Sequence, residues 1–239
     1  MNSLKFKRYD VKYFLVVLVL LAGTIFRCLP FFVNSNKEID VFDENKCSVV
    51  EIKAETESVG ESFGTAVFVK EDGTLVTNSH VVTYKSAGEL NVFDSFWIRF
   101  CFEDEYRTVT LIKYDSDLDL AVLKLDNTNC TFKPIKFANS DELKIGQTVF
   151  AIGNLNNVGI SLTQGIVSNP KINVAYNEVT REVIQCDLTI AEGNSGGALV
   201  NDKGELIGIT TFRLKDHSNN VIYGICYSLP ANKVAEYVS

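Results

Sequence analysis

What most restricts the fold of this chain is a rhythm of short β-rich runs that begins at residue 65 and continues almost to the end. They are Thr65–Lys70, Thr74–Thr77, Phe96–Phe102, Thr108–Lys113, Leu120–Leu125, Thr148–Ile152, Gly159–Val167, Val183–Leu188, Ala198–Val200, Leu206–Thr211 and Val221–Tyr227. Turn residues separate them about every 8–12 positions, the spacing of an all-β sandwich or barrel. No alternating helix and strand pattern competes with it, and only Asn232–Tyr237 reads as helical. With 46% hydrophobic and 22% charged residues the chain can bury a sizeable core.

Within that pattern one turn is chemically unusual. Gly193-Asn194-Ser195-Gly196-Gly197 joins two apolar runs and packs a serine among glycines. Glycines let successive backbone N–H groups face one small concavity, which favours negative charge. A serine beside such a nest is a candidate nucleophile, and the amides of Gly193 and Ser195 are candidate donors to an oxyanion. The same residues also make an ordinary Gly-rich turn, so a base and a group to orient it must be found elsewhere.

The chain has two histidines. His80 sits where the run Leu75-Val76-Thr77 closes on a polar turn; His217 lies in the loop-like Lys215-Asp-His217-Ser-Asn-Asn220. The carboxylate candidate is Asp119, the last polar residue before the apolar run Leu120–Leu125. An aspartate entering a core strand needs a hydrogen-bond partner, which an imidazole N–H supplies. Asp115 and Asp117 read as solvated turn charges, although strand alternation puts 115, 117 and 119 on one face and spacing alone does not choose among them. The order His80, Asp119, Ser195 excludes the Ser-acid-His order of α/β-hydrolases and the Asp-His-Ser order of subtilisin-like enzymes, and matches the chymotrypsin-like order.

The blocks Leu75-Val-Thr-Asn-Ser-His80-Val-Val, Asp115-Ser-Asp-Leu-Asp119-Leu-Ala-Val, Ala151-Ile-Gly-Asn154, Gln164-Gly-Ile-Val-Ser168 and Gly193-Asn-Ser-Gly-Gly197 resemble the successive motifs of HtrA (Deg) type trypsin-like serine proteases. Tyr223–Pro230 is similar to the family's closing strand. The resemblance implies two six-stranded antiparallel β-barrels of chymotrypsin-like type, His80 and Asp119 in the first, Ser195 in the second, and a site in the cleft between them. It implies a catalytic set of His80, Asp119 and Ser195, an oxyanion hole of Gly193, Asn194 and Ser195, and a substrate strand Ile209-Thr210-Thr211 with Ile190 and Thr210 lining a primary pocket. No Asp stands at the base of that pocket, so small or medium apolar side chains are expected there. A homotrimer is suggested, without interface residues that can be matched.

The chain also departs from the family. Ala191-Glu192 stands where the family often has Asn-Pro, and with nine residues after Pro230 the PDZ domain that many members carry is not expected in this sequence. The rival readings are a non-catalytic peptide-binding module on the same double barrel, and an esterase using the same machinery.

The N-terminus is read separately. Lys5, Lys7, Arg8 and Lys12 precede the apolar run Tyr13–Phe26. This pattern predicts a cytoplasmic basic tail (1–12), a transmembrane signal anchor or signal peptide (13–33), a linker (34–60) that runs into a first strand or short helix at its apolar patch Cys47–Ile52, and an extracytoplasmic protease domain (61–239), secreted if the signal is cleaved. Cys28 lacks the preceding small residues of a lipoprotein site. The net charge of −7 excludes a nucleic-acid partner, leaving polypeptide substrate and membrane as the expected partners. No P-loop, dinucleotide fingerprint, CxxC pair or HExxH occurs, so neither cofactor nor metal is expected. Cys101, Cys186 and Cys226, in apolar runs, read as buried free thiols.

Overall fold

The computed structural model describes residues 37–176, 179–212, 222 and 224–239. The basic tail, the expected membrane segment, Cys28 and the 215–220 loop with His217 lie outside the described residues. Among the described residues no helix is long and apolar enough to cross a membrane.

The chain order is α1 (Lys37–Asn45), β1 (Val49–Thr56), β2 (Gly60–Phe68), β3 (Thr74–Thr77), the single turn α2 (Ser79–Val82), β4 (Thr83–Ser86), β5 (Glu89–Val92), β6 (Ser95–Phe100), β7 (Tyr106–Asp115) and β8 (Leu120–Leu125). It continues with β9 (Thr148–Asn154), β10 (Ile160–Tyr176), β11 (Val179–Asp187), β12 (Ala198–Val200), β13 (Leu206–Phe212), β14 (Cys226–Pro230) and α3 (Ala231–Val238). Strands β1-β2-β3-β8-β7-β6 close into a barrel, and β10-β11-β14-β13-β12-β9 close into a second ring, every pairing antiparallel. β4 and β5 form a separate hairpin.

Alternation explains why these segments are strands. In β6, Phe96, Ile98 and Phe100 are buried while Trp97 and Arg99 face outward. Arg99 lies opposite Glu51 across β1 and binds its carboxylate at 2.8 Å; Lys53, opposite Trp97, sits over the indole at 5.5 Å. The inward residues join Ile52, Phe68, Leu75 and Leu123 in the core of the first barrel. Leu143, Val149, Ile184, Leu199 and Ile207 fill the second. A third cluster, with Val49, Val67, Val76 and Leu120 from the first barrel and Phe150, Ile152, Ile209 and Leu229 from the second, glues the two together. Burial on both faces makes β13 apolar or threonine at nearly every position instead of alternating.

Two expectations are corrected. The linker expected over 34–60 contains α1 and β1, so the barrel starts at Val49, not at residue 61. Cys101 is only half-buried, because it stands one residue past the end of β6. Cys186 and Cys226 are buried and face each other in register across β11 and β14, the Cys226 thiol donating to the Cys186 carbonyl at 3.6 Å.

Candidate active site

The site is built where strand ends of both barrels meet. β3 runs into α2, whose Ser79, Val81 and Val82 are buried; this turn therefore leaves the His80 side chain outside, 49% exposed. Asp119 precedes β8 at the end of a tight turn, with φ of 57°, a left-handed conformation that aspartate tolerates better than most residues. Asp115 makes that turn: its Oδ1 accepts the N–H groups of Asp117 and Leu118 at 2.8 and 2.9 Å. Asp117 holds Arg181 Nε through its backbone carbonyl. Neither carboxylate is hydrogen-bonded to the imidazole.

Asp119 is. His80 Nδ1 lies 2.9 Å from both carboxylate oxygens. The carboxylate also accepts the His80 N–H at 3.2 Å, the Ser79 hydroxyl at 3.0 Å and the Thr211 hydroxyl at 2.5 Å, while Asn78 Nδ2 binds the Asp119 carbonyl at 2.9 Å. Burial pushes this carboxyl up, but the neighbouring imidazole and the hydrogen bonds from His80 and Thr211 outweigh it and hold Asp119 below the usual carboxylate range. An ionised, acceptor-only carboxylate fixes the proton on Nδ1 and leaves Nε2 as the acceptor.

Ser195 enters from the second barrel. Its hydroxyl donates to the Thr211 carbonyl at 3.2 Å, so Thr211 touches Ser195 with its backbone and Asp119 with its side chain. No hydrogen bond joins Ser195 to His80; in an unliganded site this contact commonly tightens only when substrate arrives. The serine loop is fixed by its own backbone. Gly196 N–H binds the Thr210 carbonyl, Gly197 N–H the Asn194 carbonyl and Asn194 N–H the Ala191 carbonyl. Gly193 has φ of +89°, and a Cβ there would sit 2.0 Å from the Asn154 carbonyl oxygen, so glycine is required. The Glu192 carbonyl is held by Asn156 N–H at 2.7 Å. In a trans peptide the N–H points the opposite way, so Gly193 N–H is turned away from Asn156. Among the described residues neither it nor Ser195 N–H has a hydrogen-bond partner.

Other expected site residues are placed differently. Asn194 is buried with its amide already bonded inside the loop, which removes it from the oxyanion set. Ile209 is fully buried in the cluster between the barrels, and Thr210 spends its hydroxyl on the carbonyls of Asn194 and Gly197. Both lie where β13 is flanked by the serine loop and β12 on one side and by β14 on the other, so the substrate edge expected at Ile209 is not open there. Ile190 packs into the second barrel with Leu188 and Cys186. Thr211 belongs to the site as a support of Asp119. Ser79 and Thr65 were not singled out from sequence; Ser79 adjoins His80, but nothing in the sequence marks Thr65.

Residues 64–209 match the trypsin-like peptidase domain family, more than half of the chain. The chain belongs to that family. This trypsin-like peptidase is 38% identical over 177 residues to a probable serine protease do-like of Buchnera aphidicola subsp. Acyrthosiphon pisum, covering 72% of this chain and 34% of the relative. It is 33% identical to the serine endoprotease DegS of Haemophilus influenzae, covering 71% of this chain and 47% of that one. A solved structure of the HtrA-type protease AlgW with tripeptide superposes with a TM-score of 0.71 at 30% identity, over 83% of this chain and 61% of that chain. The fold is thus the mostly β, chymotrypsin-like fold of HtrA proteases, and the chain spans about a third to a half of the length of these curated relatives.

Proposed function

We propose that the chain is a serine endopeptidase that cleaves exposed or unfolded polypeptide through an acyl-enzyme on Ser195. The observation that carries this reading is the His80 ring gripped at 2.9 Å by both oxygens of a buried carboxylate that Thr211 ties to the Ser195 hydroxyl. Rotation of the serine side chain away from the Thr211 carbonyl delivers Oγ to the substrate carbonyl. His80 Nε2 takes its proton, and Asp119 stabilises the imidazolium. The oxyanion is received by the N–H groups of Gly193 and Ser195, each donor worth about 3–4 kcal/mol in sites of this kind. His80 then protonates the leaving amine, and water repeats the sequence to release the acyl group. Relatives named serine proteases and endoproteases support the reading.

The purified chain is expected to degrade casein to peptides. Casein retained intact on the immobilised chain favours the peptide-binding alternative, and turnover of activated esters with no polypeptide cleavage favours the esterase.

In the same reading the four basic residues before Tyr13 keep the N-terminus cytoplasmic and the peptidase outside, anchored by residues 13–33. A relative 34% identical over 201 residues, the probable periplasmic serine endoprotease DegP-like of Buchnera aphidicola subsp. Baizongia pistaciae, covering 84% of this chain and 39% of the relative, supports that side of the membrane. Protease added to spheroplasts should digest the domain beyond residue 34 and spare the tail; protection of the whole chain contradicts this orientation.

A further inference from the structure

Thr65 has no exposed surface and lies on β2, in the barrel that carries His80, yet most of its polar capacity is spent on the other barrel. Its N–H donates to the Ser195 carbonyl at 2.9 Å. Its hydroxyl donates to the Gly193 carbonyl at 2.6 Å and accepts the Asn154 N–H at 2.8 Å. Its own carbonyl accepts the Thr77 hydroxyl at 2.6 Å, which fixes Thr65 from behind. One buried side chain therefore joins the oxyanion loop to the end of β9 and holds both to the first barrel.

The pin falls where the loop is weakest. Gly193 lacks a Cβ and sits at φ of +89°, so little intrinsic torsional preference keeps its flanking peptides in place. The carbonyl before it is held by Asn156 N–H, and the carbonyl of Gly193 itself by Thr65. The Glu192 carbonyl shares its peptide plane with the Gly193 N–H and the Gly193 carbonyl shares the next plane with the Asn194 N–H, so Asn156 sets the Gly193 amide directly and Thr65 fixes the plane on its other side. We infer that Thr65 is a positioning residue: its hydroxyl, from the opposite barrel, fixes the Gly193–Asn194 peptide and so limits the rotation about Gly193 that would let the preceding peptide turn its N–H away from the oxyanion. This rests on the assignment of Ser195 and Gly193 made under Proposed function. A donor that acts only on the developing negative charge changes kcat rather than ground-state binding.

The test compares Thr65→Val, Thr65→Ser and Thr77→Val in the full chain, with a chromogenic peptide substrate and thermal unfolding. Thr65→Val keeps the backbone bond to Ser195 but removes the hydroxyl; kcat is expected to fall at least about tenfold, with the 10²–10³-fold effect of losing one oxyanion donor outright as the ceiling, and KM nearly unchanged. Thr65→Ser restores the hydroxyl and is expected to restore kcat to within about threefold, since neither hydrogen bond uses the methyl group. Thr77→Val loosens the same cluster without touching Gly193 and is expected to lower the unfolding temperature while preserving kcat. The inference is overturned if folded Thr65→Val turns over at the wild-type rate, if Thr65→Ser is as impaired as Thr65→Val, or if Thr77→Val loses the same kcat at the same loss of stability. Should Thr65→Val not fold, Thr65→Ala is read by the same criteria. Ser195→Ala in the same series separates the two claims. An inactive Ser195→Ala beside a fully active Thr65→Val removes only the role of Thr65, whereas an active Ser195→Ala removes the assignment beneath it.

Discussion

Ser195→Ala is expected to lower kcat on casein by about 10⁶-fold while leaving about 10³–10⁴ of acceleration over water, which the proposed oxyanion amides and substrate binding would supply. The expected loss is large because in the proposed mechanism the hydroxyl oxygen is the atom that forms the acyl bond. The fold should barely register it. Among the described residues the Ser195 side chain makes one hydrogen bond, to the Thr211 carbonyl at 3.2 Å, and such a bond contributes about 1 kcal/mol. The loop keeps its shape through bonds that do not involve this hydroxyl, among them Gly196 N–H to Thr210 and Thr65 N–H to the Ser195 carbonyl. Steady-state kinetics together with thermal unfolding check both halves. A variant with more than a few per cent of wild-type activity would remove Ser195 from the chemistry.

Asp119→Asn is expected to cost about 10⁴-fold in kcat, the effect of presenting the wrong imidazole tautomer to the nucleophile. The ionised carboxylate offers only acceptors, and donors surround it: His80 N–H, His80 Nδ1–H and the hydroxyls of Ser79 and Thr211. An amide brings its own N–H into that ring and asks one neighbour to accept. His80 can do so only with the lone pair on Nδ1, which moves its proton to Nε2 and removes the base. The same substitution changes the acid limb of stability. The Asp119 carboxyl lies below its ordinary range in the fold, so its contribution is present above the unfolded-state value and is lost as pH falls through the folded one. Urea unfolding of the wild type should weaken over that acid interval, and Asp119→Asn should lack this component. Equal pH dependence in both proteins would contradict the assignment.

The alternation of β6 and the apolar run of β8 were legible in sequence because each has a single buried environment per face or none exposed. β1 was not. Val49–Thr56 is buried at nearly every position, and its Glu51 and Lys53 pair with Arg99 and with Glu55 and Glu61; in sequence those charges read as part of an acidic linker. His80, Asp119 and Ser195 stood out by residue type and order. The structure joins the first two directly and brings the third to them through Thr211. The threonines that do the joining did not stand out. Thr65 reaches Gly193 across 128 positions and Thr211 reaches Asp119 across 92, and threonine is an ordinary strand residue whose hydroxyl shows no partner until the barrels are packed. That Ile209 and Thr210 are not a free edge was hidden for a related reason: their cover comes from β12, β14 and the serine loop, not from β13 itself.

The most direct measurement of the central claim is mass spectrometry of the chain after reaction with a phosphonofluoridate, which phosphonylates a serine only where a base activates it and amides stabilise the charge that develops on the phosphoryl oxygen. The account predicts one equivalent of adduct on Ser195 in the wild type, and none in Ser195→Ala or His80→Ala. A wild-type chain that degrades casein but carries its adduct on another residue, or none at all, would contradict it.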